Sequence, residues 1–316
     1  MRDAWIALGD FIGSHLMVIV PAGVAIGVLF PELLLPLKPL VPTFFAIMTL
    51  QNSLSNDLAA MRVTLRRPAA ILVAILVVHV VMPLATFALS SLIFGADSPT
   101  VAGVLLEYTV PIGASTVMWI GMFAGELSLG LATLLLSTLV SPLSIPLTLK
   151  LLVGTTVEID VPSMMASMTY MVALPALVAT AFNELSHGWA KRTLAPATTP
   201  VSRLLLPLIV GTNATGISEP LHHLTPRLVG IMMLMLCFAV ASFLFGMALG
   251  RVLGRQDDAR FVAVSFSCAI RNVTAGAVLA SQYFGPEVLF PAIITTPFQQ
   301  VLAAVFGRVM ERVLRR

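Results

Sequence analysis

The chain has 316 residues, of which 58% are hydrophobic and only 10% are charged, and its formal net charge is +3. A soluble domain carries roughly 25% charged residues because its surface faces water, so this composition excludes a water-soluble globular protein. The basic residues lie at the ends of apolar runs rather than in a stripe with aromatics, which argues against a nucleic-acid partner. Cys237 and Cys268 lie inside apolar runs without metal-ligand spacing, so we expect no cofactor and no metal site.

Apolar runs separated by charged or turn-forming clusters predict about ten transmembrane helices. A helix that crosses the bilayer needs roughly 20 mostly apolar residues. In chain order, the predicted spans cover residues 12–30, 36–54, 68–94, 100–124, 128–153, 161–185, 200–218, 227–250, 260–284 and 287–307. Little sequence remains outside these runs. We therefore expect a single all-α transmembrane domain over residues 1–316, embedded in the lipid bilayer.

The distribution of Lys and Arg predicts which side of the membrane each loop faces. Of the 18 such residues, all but Lys38, Lys150, Arg227 and Arg271 fall on one side of a ten-span topology. Loops rich in Lys and Arg stay in the cytoplasm, so we expect a multi-pass protein of the cell (inner) membrane with both termini cytoplasmic. The residues on that side are Arg2, Arg62, Arg66, Arg67, Lys191, Arg192, Arg203, Arg251, Arg255, Arg260, Arg308, Arg312, Arg315 and Arg316.

A polar segment at residues 155–162 divides the chain near its midpoint, with five predicted spans on either side. An odd number of spans per half gives the two halves opposite orientations in the membrane. This is the arrangement of inverted-repeat transporters. We therefore predict two inverted five-helix repeats, at about residues 1–156 and 157–316.

The fourth span of each half contains residues that interrupt an apolar helix. A proline removes a backbone donor and clashes with the preceding turn. Interruptions at matching positions of two halves are the best sequence pointer to a transport site, so we expect broken helices 4 and 9 to cross and to line that site. The candidate residues are Pro111, Gly113, Ser115 and Thr116 in the first half and Ser267, Arg271, Asn272 and Thr274 in the second.

These two stretches resemble the bile acid:sodium symporter family. There, a Pro-Gly-Gly-Thr-Ala-Ser-Asn sequence breaks the fourth helix, Ser-Pro follows in the fifth, and Glu-x-x-x-Gln-Asn-Ser-Gly breaks the ninth. The matching positions here are Pro111, Gly113, Thr116, Gly125, Ser141, Pro142, Phe266, Asn272 and Phe284. In span count and order, the resemblance covers nearly the whole chain. It implies a panel domain, a core domain with crossing broken helices, alternating access and an organic-anion substrate.

Most side chains that the resemblance assigns to sodium binding are replaced in this chain. A cation site needs oxygen ligands and usually a carboxylate, and a fixed guanidinium repels sodium. We therefore expect transport that does not use the usual sodium sites. A proton-coupled or uncoupled carrier, including an efflux protein, is the alternative. The family's ligand positions fall on Val78, Thr116, Val117, Gly130, Leu134, Ser267 and Arg271.

Arg271 is the most informative single residue. An arginine at mid-span costs at least roughly 2.5–3.5 kcal/mol on insertion scales, so it needs a polar surrounding and a partner. Three roles stay open: a built-in replacement for the sodium charge that holds the crossing together, a direct ligand of the substrate carboxylate, and a member of a static ion pair.

Glu107, one turn before Pro111, is the carboxylate that lies deepest in a span. We predict a Glu107–Arg271 pair across the crossing. A proton-coupling role and a hydrated position near the outer interface are the alternatives. His79, in the middle of the third span, is either a proton-relay residue or a hydrogen-bonded structural residue.

We do not expect an enzyme, because the sequence has no His-Glu-x-x-His zinc motif and Glu107 has no second carboxylate beside it for acid–base work. A channel is the remaining rival, although paired interruptions favour a carrier. The sequence predicts a secondary-active transporter of a small or amphipathic organic anion, bound beside the crossing of spans four and nine.

Overall fold

The computed structural model describes residues 2–56, 58, 61, 68–155, 157–222, 225–254 and 257–315. Within this part of the chain the fold is built from helices, with one isolated antiparallel residue pair and no strand. The helices are α1 (Arg2–Ser14), α2 (Leu16–Leu29), α3 (Pro31–Ser53), α4 (Ala69–Phe94), α5 (Pro99–Thr109), α6 (Ser115–Met122), α7 (Leu127–Val153), α8 (Val161–Leu185), α9 (Ala190–His222), α10 (Pro226–Leu253), α11 (Asp258–Ala269), α12 (Val273–Tyr283) and α13 (Pro286–Leu314).

Ten spans can be counted within the described residues. Seven helices are each long and apolar enough to cross a membrane, namely α3, α4, α7, α8, α9, α10 and α13. The number is eight if α1 and α2, which meet at a bend of 79°, are counted as one span. Two more spans are interrupted, α5 with α6 and α11 with α12. This confirms the prediction of an all-α membrane protein with about ten helices. The inverted-repeat relation between the halves stays a prediction.

Two helices begin before the predicted starts of the spans that they contain. Helix α1 begins at Arg2, ahead of the predicted start near residue 12, and α9 begins at Ala190, ahead of the predicted start near residue 200. The physical reason lies in contacts between these helices. The Asp10 carboxylate pairs with the Arg203 guanidinium at 2.8 Å, so charges that suggest a loop are matched between α1 and α9.

The helices pack in two groups. In the four-span group, α1 and α2 pack against α9, and α3 packs against both α8 and α9. In the six-span group, α4 packs on α5, α5 on α13, α7 on α11, and α10 on α11 and α13. The two interrupted spans therefore both lie in the six-span group. The resemblance likewise implies a panel and a core, and whether the two groups are those domains stays a prediction.

The two groups are joined unevenly along the membrane axis. On the side formed by α5 and α12, buried residues of both groups share one apolar core, which includes Phe45, Leu106, Met168 and Val278. On the side formed by α6 and α11, a second core lies almost wholly within the six-span group, with Ala176 as its member from α8. A small third cluster, Leu54, Ala179, Ala190 and Ala195, belongs to the four-span group.

Candidate functional site

The two interruptions meet in the middle of the six-span group. Ile112 and Arg271 form an antiparallel backbone pair. The Asn272 N–H donates to the Pro111 carbonyl at 2.8 Å. The polypeptide thus crosses itself with extended backbone at the level where both helices are interrupted. The predicted crossing of broken helices 4 and 9 is present.

Local sequence explains each interruption. A residue that precedes proline avoids the α region, and Val110, before Pro111, is extended with φ −62° and ψ 153°. Gly113 permits the close approach of the extended segment at Arg271, because a Cβ on residue 113 would lie 2.6 Å from the Arg271 carbonyl oxygen. In the second half, Asn272 caps α12, since its side chain accepts from the Ala275 N–H at 3.2 Å.

The predicted site residues separate into a buried set and an accessible set. The accessible ones lie at the starts of α6 and α12, where the positive ends of both half-helices come together at the crossing. The buried residues are His79, Glu107, Pro111, Gly113, Thr116, Ser267 and Arg271. The partly exposed ones are Ser115, Asn272 and Thr274, beside the exposed Ala114.

Arg271 is held by its backbone and not by its side chain. Its N–H donates to Gln299 Oε1 at 2.7 Å, and Gln299 Nε2 donates to its carbonyl oxygen at 2.8 Å. The residue is only 2% exposed, and none of its three guanidinium nitrogens has a hydrogen-bond partner. Among the described residues no ion pair or hydrogen bond joins the guanidinium to Glu107, so the predicted Glu107–Arg271 pair is not present in this structure, and the static ion-pair role stays a prediction.

Glu107 lies in the last turn of α5 before the first interruption and is fully buried. Its Oε2 packs against Gly276 of α12, where a Cβ would approach to 2.9 Å. The carboxylate is 0% exposed and neither oxygen has a hydrogen-bond partner. A hydrated position near the outer interface is therefore wrong as well. Glu107 is an enclosed carboxylate against the α12 backbone.

His79 connects the third and fifth spans to the first interruption. It lies in a π-helical turn, Val77–Val81, a feature frequently found at functional sites. Its Nε2 contacts Ser137 Oγ at 2.8 Å and its Nδ1 contacts Ser144 Oγ at 2.9 Å. Ser137 Oγ in turn accepts from the Ile112 N–H at 3.0 Å. His79 is thus a hydrogen-bonded residue of the site's support, and its proton-relay role stays a prediction.

The residues at the crossing do not fit the family's usual sodium sites. Two buried hydroxyls without partners, of Thr116 and Ser267, are the oxygen atoms that these positions offer. The third group is the Arg271 guanidinium, which repels a cation. Among the described residues, no group of three or more His, Cys, Asp and Glu side chains converges on a point.

Sequence reasoning missed three supporting residues. Ser137, Ser144 and Gly276 lie in apolar helices and carry no motif. The hydroxyl-rich run of the fifth span and the spacing of Gly276 from Asn272 were the available signals. Gln300 also contributes, because it accepts from Trp119 Nε1 at 3.0 Å and donates to Ser115 Oγ at 3.3 Å.

Comparisons with known proteins agree with this architecture. The model of the Sodium Bile acid symporter family matches residues 41–224, more than half of the chain. "Uncharacterized protein YbaS" of Bacillus subtilis (strain 168) is 32% identical over 92% of this chain and 95% of its own length. "Probable sodium/metabolite cotransporter BASS1, chloroplastic" of Arabidopsis thaliana is 23% identical over 80% of this chain and 62% of its own length. The chain therefore belongs to the sodium bile acid symporter family of multi-pass membrane transporters.

Proposed function

We propose that this transporter carries a small or amphipathic organic anion by alternating access, and that the anion binds beside the crossing of the interrupted spans. The observation that carries the proposal is the convergence of positive charge at one place. The N-termini of α6 and α12 and residue Arg271 lie at the crossing, next to the accessible Ser115, Asn272 and Thr274. Helix N-termini favour anions and offer free N–H donors to them.

The positive charge of Arg271 supports transport without the usual sodium sites. A guanidinium keeps its charge in proteins, and two hydrogen bonds to the Arg271 backbone fix the position of the residue that carries it. An organic anion that enters the crossing therefore meets a cation that is part of the chain. A sodium ion brought in with the anion would instead be repelled.

The two helix groups are the moving bodies of this proposal. The groups share a core on the α5/α12 side, whereas the core on the α6/α11 side lies almost wholly within one group, so the proposal has the site open towards the α6/α11 side. Described basic residues at helix ends on that side include Lys191, Arg192, Arg251 and Arg260. The proposal therefore assigns the α6/α11 side to the cytoplasm, with both termini. Arg62, Arg66, Arg67, Arg255 and Arg316, which enter the same argument, lie outside the described residues.

The test is uptake of labelled organic anions into proteoliposomes, with sodium and proton gradients imposed separately. We expect uptake without sodium. Arg271→Ala should abolish it without reducing insertion of the protein into the membrane, because the charge at the crossing is lost. Arg227→Ala is the matched control, since Arg227 contacts Ser98 and Thr100 at 3.4 and 3.3 Å. Normal uptake by Arg271→Ala would remove Arg271 from the mechanism, and strictly sodium-dependent uptake would contradict the built-in cation.

One observation favours proton coupling as a second candidate. The Glu107 carboxylate is enclosed and has no hydrogen-bond partner, and a charged carboxylate in such a place is costly. A proton taken up and released there during each cycle would couple transport to pH. Under this candidate function we expect a proton gradient to drive anion uptake by the unaltered protein but not by Glu107→Gln. The same assay detects a channel, which would conduct passively and fail to concentrate the anion.

A further inference from the structure

We propose that Ser137 and Gln299 are matched positioning residues, each holding one of the two interruptions, and that His79 orients the Ser137 hydroxyl. Ser137 lies in α7, the span that follows the first interruption. Gln299 lies in α13, the span that follows the second. Their partners, Ile112 and Arg271, are the two residues that pair with each other at the crossing. The inference about transport rests on the proposed function, whereas the inference about the crossing does not.

Gln299 acts as a substitute for a peptide group. A helix interruption leaves backbone N–H and C=O groups without their helical partners, and inside a membrane protein each such group must be satisfied internally. The side-chain amide of Gln299 offers one acceptor and one donor. It uses them on the N–H and C=O of the same residue, Arg271, at 2.7 and 2.8 Å. The amide is 5% exposed, so water does not compete strongly for these bonds.

Ser137 performs the corresponding task at the first interruption with a single hydroxyl. Its Oγ accepts from the Ile112 N–H at 3.0 Å, and the residue is fully buried. The Val110 N–H donates to the Leu106 carbonyl and the Gly113 N–H to the Ile270 carbonyl, and Pro111 has no N–H, so the Ile112 N–H is the donor between them for which Ser137 supplies the acceptor. Loss of the hydroxyl would leave a buried N–H without an acceptor.

His79 determines where the proton of that hydroxyl points. The hydroxyl carries one hydrogen, and its two contacts are the Ile112 N–H, which is a donor, and His79 Nε2. The oxygen has two lone pairs, so it accepts from Ile112 and either donates to Nε2 or accepts from it, according to the tautomer of the ring. In both tautomers the ring, which also contacts Ser144 Oγ through Nδ1 at 2.9 Å, fixes the direction of the Ser137 hydroxyl. This chain of hydrogen bonds runs from α7 through α4 to the crossing.

The hydrogen bonds from Ser137 and Gln299 keep the positively charged groups of the site in fixed positions relative to one another. The crossing fixes the start of α6, the start of α12 and the Cα of Arg271 relative to one another. A looser crossing would displace these three positive groups together. A positioning residue therefore changes the affinity for the anion without touching the anion.

The first arm of the test needs no transport. Hydrogen–deuterium exchange of the purified full-length protein is followed in peptides that contain Ile112 or Arg271. We expect Ser137→Ala to speed exchange about tenfold in the Ile112 peptide, and Gln299→Leu to do so in the Arg271 peptide, since each loses buried hydrogen bonds. Ser137→Thr keeps the hydroxyl and should restore slow exchange. His79→Ala should also speed exchange in the Ile112 peptide, but by less than Ser137→Ala does.

Matched controls are available on the same two helices. Ser141 Oγ donates to the Thr138 carbonyl and Thr295 Oγ1 to the Pro291 carbonyl, so each bonds only its own helix among the contacts described. Ser141→Ala and Thr295→Val should leave exchange at the crossing unchanged. If Ser137→Ala and Gln299→Leu match these controls, the proposal is overturned.

The second arm measures the KM for the anion found in the uptake assay. We expect KM to rise about tenfold in Ser137→Ala and Gln299→Leu and to stay constant in both controls, while Ser137→Thr restores it. Unchanged KM in the presence of fast exchange would overturn the positioning role. If the unaltered protein takes up no organic anion, the proposed function fails, and the exchange arm still decides whether the two residues hold the crossing.

Discussion

The α5/α12 side and the α6/α11 side of the molecule differ in how the two helix groups meet. On the first side the groups share one apolar core and are linked by side chains. The Tyr283 hydroxyl of α12 contacts Ser163 and Ser167 of α8, and Ser281 donates to Asn213 Oδ1 of α9 at 2.9 Å. These links join groups that would have to separate in a transport cycle.

On the α6/α11 side the core lies almost wholly within the six-span group. Trp119 and Phe266 stack with ring centroids 6.4 Å apart, and Phe243 packs edge-on against Phe266. Met118 and Met122 of α6 are 53% and 62% exposed. The six-span group is thus well packed internally on the α6/α11 side. The comparison teaches that the two helix groups are held together on the α5/α12 side by a shared core and a few hydrogen bonds. The crossing, in contrast, is held by contacts within the six-span group alone.

The largest expected effect comes from preventing separation on the α5/α12 side. In Asn213→Cys/Ser281→Cys, made with Cys237→Ser to remove an exposed thiol, the new cysteines replace side chains in contact. Oxidation should link them and stop uptake almost completely, because α9 and α12 can no longer part. A reductant should restore uptake.

The control for this variant is Asn213→Cys alone under the same oxidant. Continued uptake by protein that is shown to be cross-linked would mean that the two helix groups do not separate on the α5/α12 side during transport. The difference between the two sides would then have no role in transport.

A smaller effect is expected from tightening the packing within the crossing helices. Gly276→Ala places a Cβ 2.9 Å from Glu107 Oε2 on the α5/α12 side, so it should destabilise the protein by about 1–3 kcal/mol. Gly121→Ala on the α6/α11 side meets only Leu127 Cδ2 at 3.4 Å and should be tolerated. Thermal unfolding in detergent measures both. Equal stabilities of the two variants would contradict the difference in packing between the sides.

The smallest effect is expected from loosening one link. Tyr283→Phe removes the hydroxyl that contacts Ser163 and Ser167, which costs about 1 kcal/mol and shifts the protein several-fold towards opening on the α5/α12 side. Labelling of Met118→Cys by a soluble thiol reagent should slow, because the opposite side closes.

Tyr170→Phe is the matched control for Tyr283→Phe. Tyr170 contacts Thr43 at 3.4 Å within the four-span group, so its loss should not shift the balance between the sides. An identical labelling rate in the two tyrosine variants would show that the Tyr283 link does not govern closure.

Span positions could be predicted closely because the bilayer imposes a length and a polarity on each helix. The helices that begin before the predicted spans are explained by the same need to match charges and polarity. Asp10 and Arg203 read as loop residues when considered alone, and they are accommodated in helices since each supplies the other's counter-charge. A pairing between residues so far apart in sequence leaves no local signature.

The interruptions were predictable for a similar reason. Pro111 cannot continue a helix, and a cluster of Arg271 and Asn272 is too polar for an unbroken apolar span. The direction of the side chains was not predictable. Glu107 and Arg271 both lie near the crossing, yet Glu107 packs against Gly276, and Arg271 is held through its backbone by Gln299.

The sequence by itself determined the class of protein, the span count, the place of both interruptions and the residue types at the site. These follow from composition and from local backbone chemistry, which act within a few residues. Only the tertiary structure decided which predicted site residues are accessible, which residues hold the crossing and on which side the two groups meet. Those properties depend on contacts between distant helices, where a shift of one residue along a helix turns a side chain by about 100° and so changes its partner.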